Sequence, residues 1–149
     1  MRRHKYEDEQ RCYDELTAWT LAVGDAEFLH QHVVDCWAAQ NAAHESKAMT
    51  IAFALLGLYL YVEKDWTGRR VQTAHMRLAQ PHGRGAGRKE WPRFDRPARH
   101  AEMTACDVMH SPESARREAV REWCRSEWEA WNAIHEQIRE WVDAELARL

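Results

Sequence analysis

The stretch Ile51-Ala-Phe-Ala-Leu-Leu-Gly-Leu-Tyr-Leu-Tyr-Val62 decides the fold class, because it carries no charged side chain on any side. A helix that is apolar all round belongs in the middle of a helical bundle. The run is too short to cross a bilayer, which takes about 20 apolar residues. A buried strand is the other structure that such a run can form, but no partner strands are visible elsewhere in the sequence. We therefore predict a central helix and an all-α fold.

Four further helices are predicted around this segment. Their ranges are 6–20, 26–41, 66–79, and a last helix from 111 to the end, where Ser111-Pro112-Glu113 is a strong start signal. Asp25, after Gly24, is a plausible N-cap for the second of these helices, and Ser46 can cap the central one. Thr104 and Asp107 make a short capping box before a single turn around Val108. The prediction is one domain over residues 1–149, folded as a four- or five-helix bundle.

One long connection, at about 80–103, is rich in glycine, proline and arginine, which rules out continuous regular structure there. Its segment Trp91-Pro92-Arg93-Phe94 can anchor aromatic rings against the bundle. A loop of this length is often functional, and its arginines suit an anionic substrate. The residues predicted to bind substrate are Arg84, Arg88, Trp91 and Arg93. A solvated surface loop without function is the alternative, and a basic glycine-rich segment is also an RNA-contact pattern.

Charge and composition narrow the classes of partner and compartment. The 149 residues have a formal charge of −3, which gives no general attraction to nucleic acid or to an anionic membrane. The first residues show no secretory signal, so the expected location is the cytoplasm. The four cysteines, Cys12, Cys36, Cys106 and Cys124, form no C-x-x-C pair. We therefore expect buried, reduced thiols and no zinc knuckle.

Histidines and amides fall on helix faces that otherwise resemble core, where a buried Gln40 needs hydrogen-bond partners. On the second helix, His30 and Gln40 share a stripe that His44 extends, whereas His32 points away from it. On the fourth helix, Gln72 and His75 share a face. Histidines that converge inside a bundle are a recurring way to bind a transition metal. The alternative is that each histidine is an ordinary core or surface residue.

This pattern predicts a metal site with His30, His44 and His75 as ligands and with Asp35, Gln40 and Gln72 orienting them. Zinc is the first choice of ion, with nickel, iron and copper also suited to imidazole. The predicted function is that of a small metal-dependent enzyme, of unassigned reaction, acting on a small anionic molecule.

The alternative function is a non-catalytic binding or assembly protein. The last helix carries Trp123, Trp128, Trp131 and Trp141, which offer more apolar area than one helix needs to pack. Any exposed remainder of that area would form a homodimer or partner surface.

Several motifs occur together in one order along the chain. They are His30 with Asp35 and Gln40, then Phe53-Ala-Leu-Leu-Gly-Leu-Tyr-Leu60, Val71-Gln72-x-x-His75-Met76 and Trp91-Pro92-x-Phe94. This combination resembles a family of short bacterial all-helical proteins, a domain of unknown function, over about residues 10–142. The resemblance implies that the histidine, aspartate and glutamine positions are motif positions, and it transfers no activity.

Overall fold

The computed structural model describes residues 2–80 and 90–149, with side chains from residue 5 onward. Within those ranges the chain is helical and contains no strand, which confirms the predicted all-α fold. The helices are α1 (Arg2–Val23), α2 (Leu29–Gln40), α3 (Ala48–Val62), α4 (Gly68–Ala79), α5 (Ala105–His110), α6 (Arg116–Ala130) and α7 (His135–Ala147). None of the helices in this part of the chain is long and apolar enough to cross a membrane.

Helix α3 lies at the centre, as its composition predicts. All of its residues from Ile51 to Tyr61 are buried except Phe53, which is half-buried. The helix packs against α2, α4, α6 and α7, so no face of the run from Ile51 to Tyr61 is left to solvent. A run without charged side chains is accommodated in such a central position.

The predicted single last helix is wrong, because the chain breaks twice after residue 111. A 3₁₀ turn precedes α6, and a second one separates α6 from α7. At the second break the Trp131 N–H donates to the Trp128 carbonyl in a tight turn. His135 also reaches this carbonyl with Nε2 at 2.7 Å, and its ring stacks on Trp128. The imidazole thus helps to satisfy a carbonyl at the point where the helix ends.

Two of the cysteines form a disulfide, so the expectation of four reduced thiols is wrong for that pair. Cys12 on α1 is bonded to Cys106 on α5, 94 residues further along the chain. Cys36 and Cys124 are free and buried, as expected. The disulfide joins the N-terminal helix to the segment that follows the long connection.

The tryptophans of the last third of the chain lie in the core of the single chain. Trp123, Trp128 and Trp131 are at most 1% exposed. Their indole N–H groups donate to Gln40, Glu63 and Glu127, respectively. The expectation that these rings leave area for a dimer surface is therefore corrected for these three, because the chain's own helices cover them.

Candidate functional site

A polar pocket of about 180 Å³ lies where α2, α3 and α6 meet the connections that precede α2 and α4. We call it the arginine pocket. It is lined by Glu27, Leu29, His32, Tyr61, Asp65, Trp66, Thr67, Arg117 and Arg121. It is smaller and more enclosed than the groove beside His44.

His32 and Tyr61 form one wall of the arginine pocket. Their rings stack with centroids 3.5 Å apart and planes 8° apart. His32 is 3% exposed, and its Nδ1 has no hydrogen-bond partner among the described residues. Burial, assisted by the charge of Arg121, lowers the pKa of His32 to about 3. Its imidazole is therefore neutral at physiological pH and carries one donor and one acceptor nitrogen.

Arg121 supplies a positive charge beside this wall. Its guanidinium lies 4.7 Å from the Tyr61 ring centroid, a cation–π contact, and its Nη2 donates to Asp65 at 3.1 Å. Burial raises the pKa of the Tyr61 phenol, which therefore stays protonated at neutral pH. A guanidinium has five N–H donors, more than the bond to Asp65 uses.

Arg117, one turn before Arg121 on α6, lies nearer the opening. It donates to Asp25 at 2.6 Å and lies 3.8 Å from a Glu27 carboxylate oxygen. Asp25 also accepts from the Leu29 N–H and so supports the start of α2, but the N-cap is Phe28 and not Asp25 as predicted, and α2 begins three residues later than expected. Despite the cost of partial burial, the bonds from Arg117 and the backbone lower the pKa of Asp25. The arginine and the helix start are thus fixed together.

The backbone beside the pocket adopts a conformation that non-glycine residues rarely take. Phe28 and Asp65 have φ values of 60° and 55°, and no other non-glycine residue in the described ranges has a positive φ. Such a conformation costs about 1–3 kcal/mol and occurs often at functional sites. Gly68 permits the turn at Phe28, because a Cβ at position 68 would overlap the Phe28 carbonyl. Two strained connections therefore shape the pocket.

The pocket combines charged and neutral hydrogen-bonding groups in a way that suits ligand binding. Two guanidinium groups can form charge-assisted hydrogen bonds to a carboxylate or phosphate. The His32 imidazole lines the pocket and carries one donor and one acceptor nitrogen. Neither His32 nor Tyr61 has a pKa near neutrality, as proton transfer would require. The arrangement therefore favours recognition over acid–base catalysis.

The three histidines predicted to bind metal have separate surroundings. His30 Nδ1 lies 2.9 Å from the Thr20 hydroxyl, whereas His44 is exposed in the connection between α2 and α3. His75 belongs to α4, and its ring packs against Phe53 of α3. Across the described residues, no group of three or more His, Cys, Asp or Glu side chains could hold a metal ion. A transition metal at these positions remains a prediction that rests on the sequence alone.

Both ring nitrogens of His75 are engaged in a buried hydrogen-bond network. Nε2 donates to the Phe53 carbonyl at 3.0 Å, so Nδ1 accepts from the Gln31 amide at 3.4 Å. Gln31 also donates to Asp35 at 3.1 Å. The structure thus joins Asp35 and His75 through Gln31, which the sequence analysis did not single out. Gln72 is half-buried, one turn before His75.

Asp35 ends this network as a buried carboxyl group. Its Oδ2 has no hydrogen-bond partner among the described residues and packs against Gly57, where a Cβ would overlap it. Burial raises the pKa of Asp35 well above its usual value, against the smaller effect of the Gln31 bond. Burial thus favours the protonated form of this carboxyl group, which has a structural role.

Gln40 was predicted to orient a metal ligand, but in the structure it bonds to the end of the long connection. Its amide nitrogen donates to the carbonyls of Ala101 and Met103, and its oxygen accepts from the Trp123 indole. The sequence analysis predicted that a buried Gln40 needs such partners. Glu127, which is fully buried, makes a similar set of bonds: it accepts from His100, the Ala101 N–H and Trp131.

Of the residues predicted to bind substrate, Trp91 and Arg93 do not line the arginine pocket. Trp91 packs edge-on against Phe53 and Trp141, so it acts as the predicted aromatic anchor. Arg93 is exposed and lines a separate, open groove of about 500 Å³ together with His44. Arg84 and Arg88 lie outside the described residues.

Sequence reasoning missed the main residues of the arginine pocket for an identifiable reason. It assumed one buried face on α2 and set His32 aside, but α2 packs against α1, α3, α4 and α6. A polar residue on the opposite face is therefore buried too. The available signal was the spacing of Arg117 and Arg121, four residues apart and so on one face of a helix.

Comparison with known proteins gives one match. The model of a family of unknown function, DUF5946, matches residues 8–132, which include every residue that lines the arginine pocket. No curated protein and no solved structure matches the chain.

Proposed function

The chain belongs to DUF5946, a family of unknown function, and we propose that it is a small-molecule-binding protein whose arginine pocket takes a ligand with an anionic group. The observation that carries this proposal is the side chain of His32. It is 3% exposed, it faces a polar pocket, and its Nδ1 has no partner among the described residues. A buried polar atom without a partner costs about 1–3 kcal/mol, which a ligand bond would offset.

The size of the pocket suits a small metabolite. A volume of about 180 Å³ compares with about 30 Å³ for one water molecule in the liquid. Arg121 stands beside His32 and Tyr61, so an anionic group in the pocket would meet a guanidinium and a neutral imidazole together. Charge-assisted bonds of this kind are roughly twice as strong as neutral ones.

The predicted metal-dependent reaction has less support than ligand binding. Both nitrogens of His75 make hydrogen bonds, whereas a metal ligand needs a free lone pair. The residues of the arginine pocket are not those of the histidine prediction. Ligand recognition at His32 and Arg121 therefore accounts for more of the observed geometry.

A binding screen with matched variants tests the proposal. Acetate, succinate, glycine, alanine and inorganic phosphate are titrated by calorimetry into the wild type, Arg121→Gln and Arg125→Gln. Arg125 is exposed on the same helix one turn later and does not line the pocket. We expect at least one of these compounds to bind the wild type and Arg125→Gln, with affinity at least tenfold lower in Arg121→Gln. If none binds, or if Arg121→Gln binds equally well, the proposal is wrong.

A further inference from the structure

We infer that the ligand of the arginine pocket is a zwitterion of the α-amino-acid class, with its carboxylate at Arg121 and its ammonium group at Glu27 and Asp65. This inference rests on the proposed function and narrows it to one class of ligand. It follows from the order in which charges occur between the inner wall and the rim of the pocket.

The inner wall of the pocket is positive, and its rim carries two carboxylates beside the partly exposed Arg117. Arg121 lies over Tyr61, beside His32, and its side chain is 35% exposed. The side chains of Glu27 and Asp65 are 70% and 79% exposed and stand at the rim. A dipolar ligand fits this gradient in one orientation, with the negative end inside and the positive end outside.

The existing ion pairs show why a simple anion fits less well. Arg121 is paired with Asp65, and Arg117 lies near Glu27. An anion that takes the guanidinium of Arg121 leaves Asp65 without its cation and adds a second negative charge nearby. Losing this pair is only mildly unfavourable because Asp65 is largely exposed, and the repulsion from the added negative charge comes on top of that loss.

A third carboxylate, that of Asp25, also makes a simple anion fit less well. Asp25 lies behind Arg117 at 2.6 Å and is 15% exposed, so it already takes much of the charge of that arginine. The surroundings of the pocket therefore hold three carboxylates and two guanidinium groups. A zwitterion adds no net charge to this set, and its ammonium group gives Asp65 and Glu27 a cation in place of the guanidinium that its carboxylate takes.

A simple cation also fits less well, because the inner wall would repel it. The charge of Arg121 acts directly on His32 and helps to lower the pKa of that imidazole. Asp25 and Asp65 act on the same imidazole in the opposite direction. A ligand with both charges pairs with Arg121 at the inner wall and with the carboxylates at the rim.

Paired analogues test this inference. Each of the twenty proteinogenic amino acids is titrated into the wild type by calorimetry. Every compound that binds is then compared with its N-acetyl derivative, which has lost the positive charge, and with its methyl ester, which has lost the negative charge. We expect both derivatives to bind at least tenfold more weakly than the parent amino acid.

Variants of the rim provide the second arm of the test. The double variant Glu27→Gln/Asp65→Asn removes the negative rim with little change of shape. Asparagine tolerates the left-handed backbone at position 65. We expect this variant to bind the amino acid at least tenfold more weakly and the N-acetyl derivative no more weakly than the wild type does. Glu129→Gln, an exposed change on the same helix as Arg121, serves as the control with unchanged affinity.

The outcomes separate this inference from the function on which it rests. If N-acetyl derivatives or acetate bind as tightly as amino acids, or if the rim variant binds amino acids normally, the zwitterion is wrong and anion binding stands. If no amino acid binds but phosphate or succinate does, the zwitterion is again wrong and anion binding stands. If none of these compounds binds the wild type, both proposals fail.

Discussion

His32 on α2 and Tyr61 on α3 stack in parallel, with ring centroids 3.5 Å apart. Burial keeps both in the neutral form, because it lowers the pKa of the imidazole and raises that of the phenol. The two rings form a rigid, uncharged wall against which the guanidinium of Arg121 is placed. The binding account depends on this relationship.

The first prediction concerns acid stability and His32. Its pKa is about 3 in the folded state and 6.5 in the unfolded chain, so the unfolded state takes up the proton first as the pH falls. The stability that the neutral imidazole contributes is complete above pH 6.5 and is lost as the pH falls from there towards 3. His32→Phe keeps the ring stack but cannot titrate. Urea unfolding at pH 7.5, 6 and 4.5 should show a smaller loss of stability in His32→Phe than in the wild type. Parallel losses in the two proteins would contradict a buried neutral histidine.

The second prediction concerns alkaline stability and Asp35. Its pKa is raised in the folded state, so the unfolded chain loses the proton first, and stability falls as the pH rises from about 4 towards the folded-state pKa. Asp35→Asn is close in shape and cannot ionise. We expect it to be at least as stable as the wild type at pH 8 and less dependent on pH between 5 and 8. A marked loss of stability at pH 8 would mean that Asp35 acts as a carboxylate.

The third prediction concerns the bonds that hold the long connection. Glu127→Ala leaves the donors of His100, Ala101 and Trp131 without their acceptor in a buried site. We expect a loss of at least about 1–3 kcal/mol, the usual cost of leaving one buried donor without its acceptor. Chemical denaturation measures it, with Glu129→Ala, an exposed change on the same helix, as the control. Equal stabilities of the two variants would show that Glu127 does not hold the connection.

The fourth prediction concerns the disulfide between Cys12 and Cys106. The bond closes a loop of 94 residues, for which loss of chain entropy in the unfolded state predicts about 4–5 kcal/mol of stabilisation. Reduction should therefore lower the melting temperature of the wild type, by roughly 10 °C or more for a domain of this size. The same reductant should leave the Cys12→Ser variant unchanged. A wild type that does not respond to reductant would show that the bond is absent.

The sequence predicted the parts of the fold that depend on a single segment. The central helix followed from the uncharged run ending at Val62, and the capping box of Thr104 and Asp107 followed from local capping rules. The break between α6 and α7 could not be predicted in this way, because it involves a contact between the His135 ring on α7 and the Trp128 carbonyl on α6.

The candidate site was predicted less well than the fold, because it depends on contacts between distant segments. Gln40 was correctly predicted to need hydrogen-bond partners, but the partners lie more than 60 residues away. His32 was set aside because a helix wheel shows only one helix, whereas four neighbours bury α2. The pairing of Arg121 with Asp65 across 56 residues has no local signal.

The most direct test of the central claim is the imidazole nitrogen signal of His32 in a ¹⁵N NMR titration. Alanine, acetate, succinate and phosphate are added in turn, and the spectrum of His32→Phe assigns the signal. The binding account predicts that one of these compounds shifts the His32 Nδ1 resonance in a saturable way. The signals of His75 and His135, whose rings make hydrogen bonds within the core, should stay in place. If His32 does not respond to any of the four compounds, the arginine pocket is not a binding site for small anionic or zwitterionic ligands.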